Sequence, residues 1–91
     1  MLFNFQLPIA IASDHAGFVY KKQLIAFLQS KGYQVLDFGP FDENAVDYPD
    51  YTHPVANAVE EGKVACGILL CGSGNGVAIT ANKHAGIRAA L

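Results

Sequence analysis

The chain has 91 residues, of which 52% are hydrophobic, and its formal net charge is -2. A chain of this length forms one domain, residues 1–91, and buries about two thirds of its unfolded surface, so we expect marginal stability without a partner. Its 6 basic residues are scattered and form no stripe, which argues against nucleic-acid binding.

The hydrophobic pattern predicts strands and helices that alternate along the chain. The strands are predicted at residues 7–13, 34–38 and 64–71, with a fourth beginning at 87–91, and the helices at residues 17–31, 51–61 and 76–84. This alternation implies right-handed crossovers and a parallel sheet with helices on both faces. We therefore expect an α/β fold, a Rossmann-like three-layer αβα sandwich in which the chain ends after the start of the fourth strand.

The first predicted helix has the clearest periodicity. Tyr20, Leu24, Phe27 and Leu28 recur at helical spacing, which predicts a helix at residues 17–31. Gly32 follows the last periodic residue, as is typical of a helix C-terminus.

The N-terminal segment and the cysteines indicate the cellular location. Residues 1–5 are mostly apolar but lack a preceding basic segment, and the apolar run from Ile9 ends at Ser13, so we predict neither a signal peptide nor a membrane span. Cys66 and Cys71 lie on one predicted strand, poorly placed to bridge each other and not in C-x-x-C spacing. Reduced thiols fit a cytoplasmic protein.

The most informative segment is residues 71–76, Cys-Gly-Ser-Gly-Asn-Gly, between an apolar strand and a predicted helix. The carboxyl end of a parallel strand is where open α/β sheets bind ligands. The glycines permit positive φ angles and let several N–H groups approach an anion, helped by the helix dipole. The same field favours the thiolate of Cys71. The segment therefore predicts an anion-binding loop with a reactive thiol.

Three other phosphate-binding loops do not match this segment. A dinucleotide fingerprint needs glycine where Val77 stands, and a Walker loop needs Lys followed by Ser or Thr where Val77 and Ala78 stand. A cysteine phosphatase needs an arginine six residues after the thiol, and that residue is also Val77. No cluster of His, Cys and carboxylate residues has metal-ligand spacing, so we expect no metal site.

Asp14 and His15 follow the first predicted strand. If the first and third strands are neighbours, their carboxyl ends bring Asp14, His15 and Cys71 around one crevice. A carboxylate can hold sugar hydroxyls, an imidazole can face phosphate, a thiolate can remove a carbon-bound proton, and loop N–H groups can hold an enediolate oxygen. These groups suit the enolisation of a sugar phosphate. Asp14 can also cap the first helix, and the two roles are compatible.

Four motifs resemble those of ribose-5-phosphate isomerase B and the related galactose-6-phosphate isomerase subunits. They are Ser-Asp-His-Ala-Gly at residues 13–17, Asp-Tyr-Pro-x-Tyr at 47–51, the 71–76 segment, and Ala-Asn-Lys-x-x-Gly-Ile-Arg-Ala at 81–89. The resemblance covers essentially all of the chain from Ile9 onward. It implies an enzyme that interconverts an aldose phosphate and a ketose phosphate through a cis-enediolate, without a cofactor.

The resemblance also implies roles for individual residues. Cys71 would be the proton-abstracting base, and Ser73 would contact the sugar at the reacting carbons. Some members of the resembled family use a glutamate directly after the loop as the base, but Val77 stands there in this chain. Substrate binding would fall to Asp14, His15, Tyr48, and the amides of Gly72, Ser73, Gly74, Asn75 and Gly76. Without the resemblance, Tyr48 is equally explained as an edge residue of the core.

Full-length members of the resembled family are longer, and their later part supplies a ring-opening histidine, an asparagine and phosphate-binding arginines, some across a dimer interface. We find no counterparts after Leu91, so either the sequence is a fragment or the acid comes from elsewhere. Ribose 5-phosphate and ribulose 5-phosphate are the expected substrate pair. A six-carbon substrate such as galactose 6-phosphate, and a non-catalytic fragment that binds a sugar phosphate or a partner, remain alternatives. An uncovered fourth strand would favour a homodimer or larger assembly.

The remaining candidate residues have structural interpretations. Cys66 is expected to be a small buried hydrophobic residue. Lys83 and His84 stand in the last turn of the third predicted helix, where positive charge compensates the helix dipole. His53, in the first turn of the second predicted helix, is expected to face solvent.

Overall fold

The computed structural model describes residues 4–41, 49–72 and 75–90. No helix in these ranges is long and apolar enough to cross a membrane. Each element overlaps the segment that the hydrophobic pattern predicts. Strands and helices alternate in the order β1 (Ile9–Ser13), α1 (Phe18–Ser30), β2 (Val35–Asp37), α2 (Pro49–Glu60), β3 (Cys66–Leu70) and α3 (Asn75–Asn82).

β1 is the central strand of a parallel sheet with the order β2-β1-β3. Its last residue, Ser13, is opposite Leu70, the last residue of β3. Because β2 and β3 both run parallel to β1, the carboxyl ends of the strands meet at one edge of the sheet. The first and third strands are therefore neighbours, which is the condition for the expected crevice, and the segments that leave β1 and β3 start side by side.

The two faces of β1 are covered by different helices. All of its residues are buried. Ala10 and Ala12 pack in one cluster with Val55 and Ala58 of α2 and with Val64. Because side chains alternate along a strand, the other residues of β1 point to the opposite face. α1 contacts the three strands but neither α2 nor α3, so it covers that opposite face and the αβα layering is confirmed.

The fully buried residue of α1 is charged, and the apolar periodicity of the helix does not indicate this. Tyr20 and Phe27 are 68% and 56% exposed, whereas Lys21, one residue along, has no exposed surface. The Nζ of Lys21 donates to Oδ1 of Asp37 at 2.7 Å and to the carbonyl oxygen of Pro40. It also lies 5.5 Å from the ring centroid of Phe41. A buried charge requires such partners, and they fix α1 to the end of β2.

The prediction of a fourth strand was wrong for residues 87–90, which form no strand in the structure. Leu91 lies outside the described residues. The backbone of Ala89 is instead hydrogen-bonded to the side chain of Asn82. Its Nδ2 donates to the carbonyl oxygen of Ala89 at 3.1 Å, and its Oδ1 accepts the N–H of Ala89 at 2.9 Å. These are the bonds that a neighbouring strand would otherwise make. Among the described strands, β3 is consequently the edge of the sheet on this side.

Candidate active site

Asp14 joins the two segments that leave β1 and β3. Its Oδ1 accepts the N–H of Gly17 at 2.9 Å, and its Oδ2 accepts the N–H of Gly72 at 3.3 Å. Its own N–H donates to the carbonyl oxygen of Leu70 at 3.0 Å. One carboxylate therefore closes the turn that enters α1 and also holds the first residue of the glycine-rich loop.

Gly17 permits the close approach of these segments. It is buried, and a Cβ at this position would lie 2.9 Å from Cβ of Leu70 and 3.1 Å from Cβ of Ser13. The first distance is shorter than real Cβ contacts, so a side chain here would push the start of α1 away from the sheet edge. Gly17 is the last residue of the Ser-Asp-His-Ala-Gly motif, and this crowding explains why the motif ends in glycine.

Cys71 lies at the same edge as Asp14. It follows the last residue of β3, is half-buried, and directly precedes Gly72, whose N–H is bonded to Asp14. His15 is exposed in the turn before α1, next to Asp14 in the chain. The structure therefore brings the predicted carboxylate, imidazole-bearing segment and thiol to one end of two adjacent strands.

The glycine-rich loop leads from Gly72 to the N-terminus of α3, which begins at Asn75 and continues with Gly76. Ser73, Gly74 and the backbone between them lie outside the described residues, as does Tyr48. The first N–H groups of a helix have no partner within the helix and carry the positive end of its dipole. The described part of the loop therefore ends at groups that can bind an anion.

Ser13 is a further polar residue beside this edge that sequence reasoning passed over. It is 3% exposed, and its Oγ has no hydrogen-bond partner among the described residues. Such a buried hydroxyl costs free energy, and unpaired polar groups of this kind need a specific explanation in each structure. Its position in the Ser-Asp-His motif was the available signal.

Cys66 is separated from the candidate site by the length of β3. It is the first residue of that strand, whereas Cys71 follows the last. Partial burial raises the pKa of the Cys66 thiol. Cys66 also lines a cavity of about 270 Å³ between α2, β3 and α3, whose other walls include Val55, Leu69 and Val77. These observations fit the structural interpretation of Cys66.

Iodoacetamide at pH 7.5 is expected to alkylate Cys71 faster than Cys66. The thiolate is the reactive form, and the raised pKa of Cys66 lowers its thiolate fraction at this pH. The rate at Cys66 should keep rising above the pH at which an ordinary thiol has ionised. Peptide mass spectrometry over time measures both rates, and a Cys66→Ser variant is the control for cross-labelling. Faster labelling of Cys66 would contradict this assignment.

Comparison with known proteins identifies the family. Residues 9–91 match the family model described as Ribose/Galactose Isomerase. The chain is 47% identical over 83 residues to Ribose-5-phosphate isomerase B of Escherichia coli (strain K12), spanning 91% of this chain and 56% of that protein. It is 46% identical over 86 residues to D-erythrulose-4-phosphate isomerase of Pectobacterium atrosepticum, spanning 92% of this chain and 56% of that protein.

Solved structures agree with the sequence comparison. Ribose-5-phosphate isomerase B of Clostridium thermocellum is similar with a TM-score of 0.90 and 48% identity, over 92% of this chain and 57% of that one. Ribose 5-phosphate isomerase from Thermotoga maritima gives a TM-score of 0.90 and 48% identity, over 92% of this chain and 58% of that one. This chain thus spans a little over half the length of these relatives. The matched motifs, the shared fold and the sequence identity show that the chain belongs to the ribose/galactose isomerase family.

Proposed function

We propose that this chain carries the proton-abstracting site of an aldose-ketose isomerase for sugar phosphates, with ribose 5-phosphate and ribulose 5-phosphate as the substrate pair. The observation that carries the proposal is the bond from the N–H of Gly72, the residue after Cys71, to the carboxylate of Asp14. This bond holds the thiol-bearing segment against the segment that carries His15. Membership of the family supports the reaction class.

Cys71 is the base in this proposal. Its thiolate removes the proton from C2 of the open-chain aldose, and the electron pair left on C2 forms the double bond of a cis-enediolate. The proton then returns to C1. The C2 hydroxyl loses its proton and becomes the ketone oxygen, and the former aldehyde oxygen gains a proton and becomes a hydroxyl. Atoms and electrons balance without a redox cofactor. The amides of residues 72–76 hold the developing oxyanion, and Ser73 contacts the sugar at the reacting carbons.

Asp14, His15 and Tyr48 bind the rest of the substrate in this proposal. Each carboxylate oxygen of Asp14 accepts one N–H within the protein. An ionised carboxylate has about four acceptor positions, so it can still accept bonds from sugar hydroxyls. His15 is exposed at the same edge and can meet a phosphate. The proposal assigns Tyr48 to the pocket wall, as the resemblance implies.

The length of the sugar is the open part of the substrate assignment. The relatives compared above are named for a five-carbon and a four-carbon sugar phosphate, and the family description includes galactose. A galactose 6-phosphate isomerase is therefore the second candidate function. A site that binds sugar phosphates without turning them over is the third, since this chain spans 56% of its Escherichia coli relative.

Binding of ribose 5-phosphate is expected to shift the backbone amide NMR signals of Asp14, His15, Gly17 and Gly72 in the isotope-labelled chain. The signal of Cys66, at the other end of β3, is expected to stay in place and serves as the control. Galactose 6-phosphate and ribose, which lacks the phosphate, are titrated in parallel. Tighter binding of galactose 6-phosphate would favour the six-carbon assignment. Shifts confined to residues around Cys66, or equal shifts with ribose, would contradict a sugar-phosphate site at this edge.

We also propose that the active form is a homodimer or a larger assembly. The edge of β3 has no strand partner beyond β1 among the described residues, and such edges are normally covered. Apolar side chains on α1, including Tyr20 and Phe27, are exposed as well. Self-association covers both kinds of surface.

A further inference from the structure

A chain of three hydrogen-bonded side chains connects α2 with the turn that follows α3. Nδ1 of His53 lies 2.7 Å from Nε2 of His84. Nδ1 of His84 lies 2.7 Å from Oε1 of Glu60. The imidazole of His84 thus sits between the other two side chains, and its ring centroid is 4.9 Å from that of His53. The sequence suggested only that His53 faces solvent and that His84 compensates the helix dipole, and it gave no sign of this connection.

The spacing along α2 explains why His84 fits between its partners. His53 and Glu60 are seven residues apart, which places them on one face of the helix about 10.5 Å from each other along its axis. His84 is 15% exposed in its side chain, so the central ring is the most protected of the three. His53 is exposed and provides the access to solvent.

The partners determine where the hydrogens lie. An ionised Glu60 only accepts, so Nδ1 of His84 carries a hydrogen and donates it. In the neutral ring, Nε2 of His84 is then an acceptor, and Nδ1 of His53 must donate to it. Nε2 of His53 is left as the acceptor that can take a proton from solvent. Both hydrogen bonds that connect Glu60, His84 and His53 are satisfied in this state.

Two protons have opposite effects on this arrangement. The first adds to Nε2 of His53 and keeps every bond, and the donor to His84 becomes charged, which strengthens that bond. The second must add to Nε2 of His84. It places two N–H groups against each other at the 2.7 Å contact and creates two neighbouring cationic rings. The second proton therefore breaks the contact between His53 and His84.

We propose that Glu60, His84 and His53 form a proton-operated latch, which holds the turn after α3 on α2 with no proton or one proton bound and opens with the second. α3 has 8 residues, and its length is therefore about 12 Å. The latch at one end of α3 is thus one short helix away from the glycine-rich loop at the other end.

Other charged groups near the latch are engaged elsewhere or lie on its flanks. Glu61 and Lys63, which follow α2, form an exposed ion pair with each other at 2.6 Å. Lys83 and Arg88 flank His84 in sequence, and neither forms an ion pair among the described residues. β3, which packs against α2 and α3, contributes no acidic, basic or histidine side chain. Asp50, in the first turn of α2 and three residues before His53, is exposed and forms no ion pair among the described residues. Glu60 is thus the carboxylate that is bonded within the latch.

A metal ion is a poorer occupant than a proton for this cluster. Both ring nitrogens of His84 are already directed at protein partners. In the described ranges, no three His, Cys, Asp or Glu side chains are arranged to hold a metal ion. The geometry therefore favours proton binding.

Melting temperatures measured by circular dichroism from pH 4.5 to 8.5 test the latch. The quantity followed is the melting temperature of the wild-type chain minus that of a His53→Ala variant. The first proton keeps every hydrogen bond of the latch, so the stability that the latch contributes is expected to rise as this proton is taken up. The second breaks the contact between His53 and His84, so that contribution is expected to be lost as pH falls further. The difference is therefore expected to pass through a maximum, with an amplitude of roughly 4–8 °C for one hydrogen bond in a domain of this size.

A His53→Gln variant is the matched control, because its amide can donate to Nε2 of His84 or, turned over, accept a hydrogen from it, and it takes up no proton itself. Its stability relative to His53→Ala is expected to show no maximum over the same pH range. The proposal would be overturned if the melting temperature of the wild type minus that of His53→Ala were constant with pH or rose steadily toward acid.

If His53→Ala fails to fold, histidine NMR titration of the wild-type chain decides. Two coupled protonation steps, with the amide signals of residues 83–86 following the second, support the latch. Independent single-step curves that match the exposed His15 would overturn it.

Discussion

Replacing Cys71 with alanine is expected to lower the isomerisation rate of ribose 5-phosphate by about 10²–10⁴-fold, the usual contribution of a positioned general base. Substrate affinity should change little, because the proposed binding groups are the loop amides and the side chains of Asp14 and His15. The rate is measured in a fusion of this chain with the part of the Escherichia coli relative that it does not span. Such a fusion supplies a family member of full length, since this chain spans 56% of that relative.

Cys66→Ala in the same fusion is the matched control. Cys66 lies at the amino end of β3, away from the loop, so its rate should stay close to that of the unsubstituted fusion. A Cys71→Ala fusion that turns over substrate at the normal rate, or a Cys66→Ala fusion that loses as much activity, would contradict the assignment of the base.

The chain by itself is expected to isomerise ribose 5-phosphate orders of magnitude more slowly than that fusion. By resemblance to its family, the ring-opening acid and the phosphate-binding arginines belong to the later part of the relatives. Substrate positioning can be worth about 7–11 kcal/mol of the barrier, and only part of it would be available.

The same preparation of the isolated chain should sediment as a dimer or a larger species, because the edge of β3 and the apolar residues of α1 are otherwise uncovered. Sedimentation velocity and a coupled assay on one sample measure both properties. A monomer with the full rate of the fusion would contradict both expectations.

The general architecture could be predicted because it depends on local patterns. Apolar runs, helical periodicity and terminal glycines such as Gly32 determine where strands and helices lie. Gly32 has a φ of 91° after the end of α1, which is the conformation that favours glycine there. Parallel pairing then follows from the alternation of strands and helices, and it brings the carboxyl ends of β1 and β3 together.

The features that the sequence did not predict arise where a side chain bonds to another segment. Asn82 binds the backbone of Ala89, which takes that residue out of any sheet ladder, and no periodicity signals this contact. Lys21 is buried because Asp37 and Pro40 accept its hydrogens, while Leu24 and Leu28 of the same helix are half-buried. Both interactions depend on the tertiary fold.

The candidate site was only partly accessible to sequence reasoning. The positions of Asp14 and Cys71 at one edge follow from topology. The double use of the Asp14 carboxylate, the crowding at Gly17 and the unpaired hydroxyl of Ser13 depend on distances between segments, which the sequence does not contain.

Deuterium incorporation at C2 of ribose 5-phosphate in D₂O is the most direct measurement of the central claim, because it reports removal of the carbon-bound proton rather than net turnover. The experiment compares the fusion of full family length with its Cys71→Ala variant. We expect incorporation with the unsubstituted fusion and incorporation about 10²–10⁴-fold slower with the variant, at substrate concentrations where both are saturated. Equal incorporation by the two proteins would show that Cys71 is not the base.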